Sequence, residues 1–186
     1  ILNGVPSPVP RALTAWMKDI APHMDGVYLC NEERETSLFE ASNTYLYYRL
    51  AWNPDLDPEA LRADYYQAAY GPAGPILRAM EERLEDLWFT HFYGPRMDMG
   101  ERFLGGKSTL PTTARIWEDI YHDALVSDLE ARMARAVTAA RGTAFEERVA
   151  IFEEHYLGTL LRFRNAYRQA VSMADDMVMA AARTPV

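Results

Sequence analysis

Residues 45–73 read YLYYRLAWNPDLDPEALRADYYQAAYGPA, and this stretch predicts a helix, a stop, a second helix and a second stop. Pro54 disfavours the α conformation at Asn53 and therefore ends the first helix. The apolar residues before it are too dense for one narrow stripe, so we expect this helix to be buried around much of its circumference. These residues are Tyr45, Leu46, Tyr48, Leu50 and Trp52.

The second helix of this stretch has clear signals at both ends. Asp57 is a good N-cap and Pro58 suits the first helical turn, so the helix is predicted to begin near Pro58. Gly71 supplies the left-handed position at its C-terminal end, and Pro72 opens a third helix. These signals alone describe a helix-turn-helix-turn-helix.

The same stretch resembles a segment of large bacterial proteins of glycoside-hydrolase type. The matching residues are an aromatic-rich helix that runs into WNPD at 52–55 and a following helix that ends in YGPA at 70–73. In that family, which is largely uncharacterised and classed as a domain of unknown function, the segment lies where a (β/α)8 barrel gives way to C-terminal helices. The resemblance implies a carbohydrate-active barrel protein that requires no cofactor, and it carries over no catalytic residue.

The sequence before this stretch predicts one helix and one strand. Apolar residues recur at helical spacing between about Pro8 and Ala21, and Val27 to Cys30 is a short apolar run of β-prone residues. A lone buried strand leaves its backbone groups unpaired, so this strand is predicted to pair with strands outside the chain. The alternative is an extended linker within a helical domain.

The order helix, strand, polar loop, helix is that of one step of a (β/α)8 barrel, which takes about 250 residues in full. We therefore predict a mainly α chain in which residues 1–53 form the last βα portion of a barrel. Residues 54–186 are predicted to form a C-terminal helical bundle, because amphipathic stripes recur there up to Tyr167. A break is expected near residues 122–124, and Thr143 with Glu146 predicts a capping box.

Candidate catalytic residues follow the predicted strand, because loops after barrel strands face the active site. Glu32 and Glu33 are adjacent, so their side chains point to opposite sides and at most one is expected to face substrate. The second carboxylate would come from another barrel strand, since glycosidase carboxylates lie about 5 to 9.5 Å apart. The alternative is that both are solvated loop charges. The substrate-binding candidates are Asn31, Arg34, Asn43 and Tyr47.

Net charge excludes some classes of partner. A charge of −8 and a pI near 5.0 argue against non-specific binding to nucleic acid or to an anionic membrane surface. No apolar run approaches the roughly 20 residues of a membrane span. The nearest basic patch is predicted to be a solvated helix face paired with glutamates, and it comprises Arg162, Arg164 and Arg168.

Metal and thiol chemistry have little support in the sequence. Asp119 and His122 are spaced to share a metal on a helix, but a di-iron bundle needs a second such pair and two more glutamates. No second pair is present in the sequence, so His122 is predicted to be a surface or interface histidine with its hydrogen bonds satisfied, and no metal is expected. Cys30 is the single cysteine, which excludes an intrachain disulfide and leaves the compartment open, with a periplasmic or secreted location possible.

Two functions of different classes follow. The first is the C-terminal section of a glycoside-hydrolase-like protein that contributes part of a carbohydrate site and a helical support domain, acting only together with the remainder of the barrel. The start at Ile1, in the middle of a pattern, agrees with a processed chain or an excised domain. The second is a non-catalytic α-helical interaction or scaffold domain.

Overall fold

The computed structural model describes residues 5–27, 37–93 and 111–182, and all regular structure within these ranges is helical. The α-helices are α1 (Pro10–Ile20), α2 (Ala41–Trp52), α3 (Pro58–Tyr70), α4 (Gly74–Trp88), α5 (Asp123–Ala140), α6 (Glu146–Phe152) and α7 (Gly158–Ala182). The prediction of a mainly α chain is therefore confirmed for this part. Of the predicted strand, Val27 has no regular structure, and residues 28–30 lie outside the described ranges.

The stops and starts predicted for residues 45–73 are confirmed, except that the third helix begins at Gly74 and not at Pro72. Asn53 is extended, with φ −143° and ψ 98°, and ends α2. Asp57 caps α3, because its Oδ1 accepts a hydrogen bond from the Glu59 backbone N–H at 3.0 Å. Gly71 ends α3 with a φ of +52°, a conformation that other residues rarely adopt. One 3-10 turn, Gly71–Ala73, then leads into α4.

Gly74, at the start of α4, permits close contact with α3. A Cβ atom at this position would lie 2.5 Å from the Tyr66 carbonyl oxygen, which belongs to the backbone and cannot move away independently. The first turn of α4 thus packs directly on the last turns of α3. This contact fixes the angle at which the chain enters the bundle core.

We expect Gly74→Ala to lower the free energy of unfolding by about 2–3 kcal/mol, because the methyl group forces α3 and α4 apart. Urea denaturation measures the change. The control is Gly158→Ala at the start of α7, where an added Cβ would meet Glu153 O at an ordinary 3.5 Å. Equal stability of the two variants would contradict the proposed close contact.

Two hydrophobic clusters hold the described residues together. The larger one lies among α3 to α7 and includes the stacked rings of Phe152 and Tyr156, whose centroids are 4.4 Å apart. The smaller one lies between α1, α2 and the start of α3, and consists of Met17, Leu46, Tyr47, Leu50 and Leu61. Packing crosses the predicted boundary after residue 53, since Leu61 joins the smaller cluster and Phe39 joins the larger.

Burial of α2 around much of its circumference is confirmed in its first two turns, where residues 41–47 are buried or half-buried, and is wrong for its last turns. Leu46 and Leu50 are buried, whereas Tyr48 is 56% exposed and Trp52 is 90% exposed. The reason is that α1 and α3 cover only one side of α2 in its last turns, where Leu50 is buried among the described residues. A high density of aromatic residues therefore did not mark a fully enclosed helix.

Helices α1 and α2 lie side by side and run in the same direction. At their amino ends, Asn43 joins the two, because its Oδ1 accepts from the Val9 N–H at 2.9 Å and its Nδ2 donates to the Ser7 carbonyl at 3.1 Å. At their carboxyl ends, Ile20 and Ala51 line one cavity of about 180 Å³. The amino end of α1 therefore lies beside the amino end of α2, and the two carboxyl ends also lie side by side. The two helices are parallel.

The C-terminal helices contain features that the sequence did not predict. π-helical turns occupy Phe89–Tyr93, Arg115–Ile120 and Glu153–Leu157, and the last of these joins α6 to α7. The break expected near residues 122–124 is confirmed, since α5 begins at Asp123. The capping box predicted for Thr143 and Glu146 is wrong: Glu146 accepts from the Gly142 N–H at 2.8 Å, Thr143 Oγ accepts from the Phe145 N–H at 3.2 Å, and the N-cap of α6 is Phe145.

Candidate functional site

The predicted site residues divide between described and undescribed parts of the chain. Asn43 and Tyr47 lie on α2. The others lie outside the described residues, and they are Asn31, Glu32, Glu33 and Arg34. Cys30 lies outside them as well.

Asn43 and Tyr47 face different surroundings although they are four residues apart. The Asn43 amide bonds the backbone ahead of α1 through both its oxygen and its nitrogen, so it fixes the amino ends of α1 and α2. Ser7 strengthens this junction by donating its hydroxyl to Glu40 at 3.2 Å. Tyr47 is buried in the smaller cluster, edge-to-face with Tyr48, and burial raises the pKa of its hydroxyl.

A buried carboxyl group occupies the centre of the larger cluster. Glu81 on α4 is 1% exposed and accepts a hydrogen bond from the Tyr66 hydroxyl. Burial raises the pKa of Glu81 from 4.5 to about 7, opposed in part by the hydroxyls of Tyr66, Ser42 and Tyr156. The Ser42 and Tyr156 hydroxyls lie near Glu81, but neither has a hydrogen-bond partner among the described residues. Because Glu81 is enclosed, we expect its ionisation to affect the free energy of unfolding and not the binding of a substrate.

A second buried carboxyl group, Glu85, fixes the start of α1 to α4. Its Oε2 accepts from Arg11 Nε at 2.6 Å, and its Oε1 accepts from the backbone N–H groups of Arg11 and Ala12 at 2.8 and 3.1 Å. Val9 provides no side-chain cap for α1. Glu85, on α4, therefore caps α1. Its negative charge also interacts favourably with the positive end of the α1 dipole.

An open cavity of about 390 Å³ lies beside α7, between the π turn Arg115–Ile120 and the start of α5. Arg164 and Arg168 both donate to Oδ1 of Asp123, the first residue of α5. These two guanidinium groups hold the pKa of Asp123 below its usual range. On the other side of the cavity, the Tyr167 hydroxyl donates to Glu118.

The prediction of a solvated basic face on α7 is confirmed for Arg162 and Arg168, which are exposed, and is wrong for Arg164. Arg164 is 5% exposed and its Nε has no hydrogen-bond partner among the described residues. Arg164 and Arg168 pair with an aspartate, while Arg162 donates to the Thr159 hydroxyl at 2.8 Å. Position 164 follows Leu160 by one helical turn, so its place beside the apolar stripe was a signal for burial.

The metal site considered for Asp119 and His122 has no support among the described residues. His122 is the N-cap of α5, and its Nδ1 accepts from the Leu125 N–H at 3.3 Å. Within residues 5–27, 37–93 and 111–182, no three His, Cys, Asp or Glu side chains are grouped to hold a metal ion. No helix of the same ranges has both the length and the hydropathy to cross a bilayer.

Comparison of this chain with protein-family models, curated proteins and solved structures finds no match.

Proposed function

We propose that this chain is the C-terminal section of a glycoside-hydrolase-like protein. In this proposal residues 1–53 complete a (β/α)8 barrel and residues 54–186 form the helical domain that supports it. The observation that carries the proposal is the parallel arrangement of α1 and α2. The resemblance of residues 45–73 to such proteins agrees with it but is independent of it.

Parallel neighbouring helices require a return of the chain between them. In a (β/α)8 barrel every helix is followed by a strand that runs back, so consecutive helices lie parallel on the outside. Helices joined by short loops in an up-and-down bundle are antiparallel instead. Here residues 21–40 separate α1 from α2. The 11 residues of α1 span about 16 Å, and a four-residue strand covers about 13 Å of such a return.

The same arrangement fixes where a barrel active site would lie. Barrel helices run opposite to their strands, so the amino ends of helices lie at the catalytic face. Asn43 is at the amino end of α2, and the segment with Glu32 and Glu33 precedes that helix. We assign one of these glutamates a catalytic carboxylate role, with Asn31 and Arg34 at the sugar. The Asn43 amide is hydrogen-bonded to the backbone of Ser7 and Val9, so the proposal gives it a positioning role instead. Tyr47 is packed in the smaller cluster, and the proposal does not use it.

The test begins with the complete reading frame of the gene and continues with its full product. We expect roughly 200 or more residues of alternating strands and helices ahead of Ile1, and hydrolysis of at least one aryl glycoside in a panel. Either Glu32→Gln or Glu33→Gln is expected to lower kcat by about 1,000-fold or more. The other variant and the exposed control Glu130→Gln are expected to leave kcat within about twofold.

A second candidate function keeps the helices and omits catalysis. It is a helical interaction or scaffold domain, and the observation that favours it is the larger cluster, which α3 to α7 enclose with fully buried aromatic side chains. A full reading frame without alternating strands, or hydrolysis unaffected by both Glu32→Gln and Glu33→Gln, would favour this second function.

A further inference from the structure

We propose that the cavity beside α7 binds a neutral saccharide, as a sugar site within the helical domain and separate from the barrel. The inference deepens the proposed function and rests on it for the connection to carbohydrate. Its physical basis is independent, and consists of the charge balance, the hydrogen-bonding groups and the aromatic side chains around the cavity.

Charge balance selects a neutral ligand. Arg164 and Arg168 contribute two positive charges to the cavity, and Glu118 and Asp123 contribute two negative charges. Because these charges balance, the cavity carries no net charge that would attract an anion or a cation. A ligand without net charge is therefore at no electrostatic disadvantage there.

The hydrogen-bonding groups match a ligand that donates and accepts at several points. The guanidinium groups only donate, ionised carboxylates only accept, and a sugar hydroxyl does both. Both arginine contacts fall on Oδ1 of Asp123, so Oδ2 has no partner among the described residues, and this side chain is 78% exposed. Arg168, which is exposed, adds guanidinium N–H donors beyond the one that it gives to Asp123.

Rigidity and shape also suit a small sugar. Arg164 is 5% exposed and already held by Asp123, so little side-chain freedom is lost when a ligand binds. Tyr167 provides aromatic surface, and its ring is oriented by its hydrogen bond to Glu118. Trp117 also lines the cavity but is only 3% exposed. A volume of about 390 Å³ is at the small end of ligand cavities. It fits one or two sugar rings rather than a long chain.

The structural role of these residues must be separated from ligand binding. The contact of Arg164 with Asp123 also ties α7 to the start of α5, so a variant of Arg164 tests stability as well as binding. Arg168 and Tyr167 are more accessible and are the better positions to change. The matched control is Arg132, which makes a surface ion pair with Asp128 on α5 at 2.7 Å.

The experiment titrates the 186-residue chain with neutral mono- and disaccharides and with sulfate, using calorimetry. We expect saturable binding of at least one saccharide, weakened about 10-fold by Arg168→Met and about three- to tenfold by Tyr167→Phe. Arg132→Met is expected to leave affinity unchanged. The inference is overturned if no saccharide binds, if both variants bind like the parent, or if sulfate binds in preference to every saccharide.

The outcome is distinguishable from that of the proposed function. Arg168→Met in the full-length product is expected to leave hydrolysis of a small aryl glycoside unchanged, because the cavity is not in the barrel. Intact hydrolysis without saccharide binding at the cavity would overturn this inference alone. Saccharide binding at the cavity in a product that hydrolyses nothing would overturn the catalytic part of the proposed function alone.

Discussion

Replacement of Glu85 by alanine is expected to lower the free energy of unfolding by about 3 kcal/mol. The estimate combines about 1 kcal/mol for a lost helix cap with about 2 kcal/mol for lost hydrogen bonds to a charged group. Glu85 is 1% exposed, so water cannot replace it readily at the two backbone N–H groups of Arg11 and Ala12. Arg11 itself is 41% exposed, which keeps the effect below that of a fully buried pair.

Two further variants distinguish the capping of α1 by Glu85 from the ion pair that Glu85 makes with Arg11. Glu85→Gln retains an oxygen that accepts from the N–H groups of α1, and we expect a loss of about 1–2 kcal/mol. Asp86→Ala removes an exposed partner of the same Arg11, which donates to it at 2.6 Å, and the expected loss is within about 1 kcal/mol. Urea denaturation followed by circular dichroism provides the comparison. Equal losses for Glu85→Ala and Asp86→Ala would show that the carboxylate does not cap α1.

The second large effect is a dependence of stability on pH that Glu81 controls. Burial raises the pKa of Glu81 from 4.5 to about 7 in the folded protein. Between these values the unfolded chain releases the proton while the folded chain keeps it, so stability falls as pH rises through this range. The shift corresponds to roughly 2.5 kcal/mol lost between pH 5 and pH 8. The contribution is fully present only below about pH 4.5.

Glu81→Gln is expected to remove this dependence, because glutamine stays neutral and still accepts from the Tyr66 hydroxyl. The difference in unfolding free energy between variant and parent should move by about 2–3 kcal/mol in favour of the variant from pH 5 to pH 8. Glu147→Gln, at an exposed position, provides the control. The carboxyl groups with lowered pKa values, Glu59 and Asp123, lose their contributions only at lower pH. A difference that stays constant between pH 5 and pH 8 would contradict the role of Glu81.

Local signals predicted the helix boundaries well. The extended Asn53, the cap at Asp57 and the positive φ of Gly71 each follow from interactions within a few residues, so the sequence contains all the information required. The boundary before α5 has the same origin, because His122 caps the helix with its own side chain. The predicted catalytic glutamates lie outside the described residues and stay predictions.

Side-chain environments were predicted less well. Position 81 follows Leu77 by four residues and precedes Leu84 by three, so Glu81 lies on the apolar face of α4, and this signal for a buried carboxyl was overlooked. The partner of Glu85 has no local signal at all, since Arg11 is 74 residues away in the chain. The exposure of Trp52 likewise depends on which helices cover α2, and no pattern within α2 reveals its neighbours.

The exposure of the side chains of α7 changes along its length. Leu160 and Arg164 are buried against the bundle, whereas every residue from Arg168 to Ala174 is exposed. Starting a helix is the unfavourable step, and lengthening an existing one is nearly neutral. The packed first half thus serves as the nucleus on which the following turns propagate, so the exposed turns after Arg168 depend for their helicity on the burial of Leu160 and Arg164.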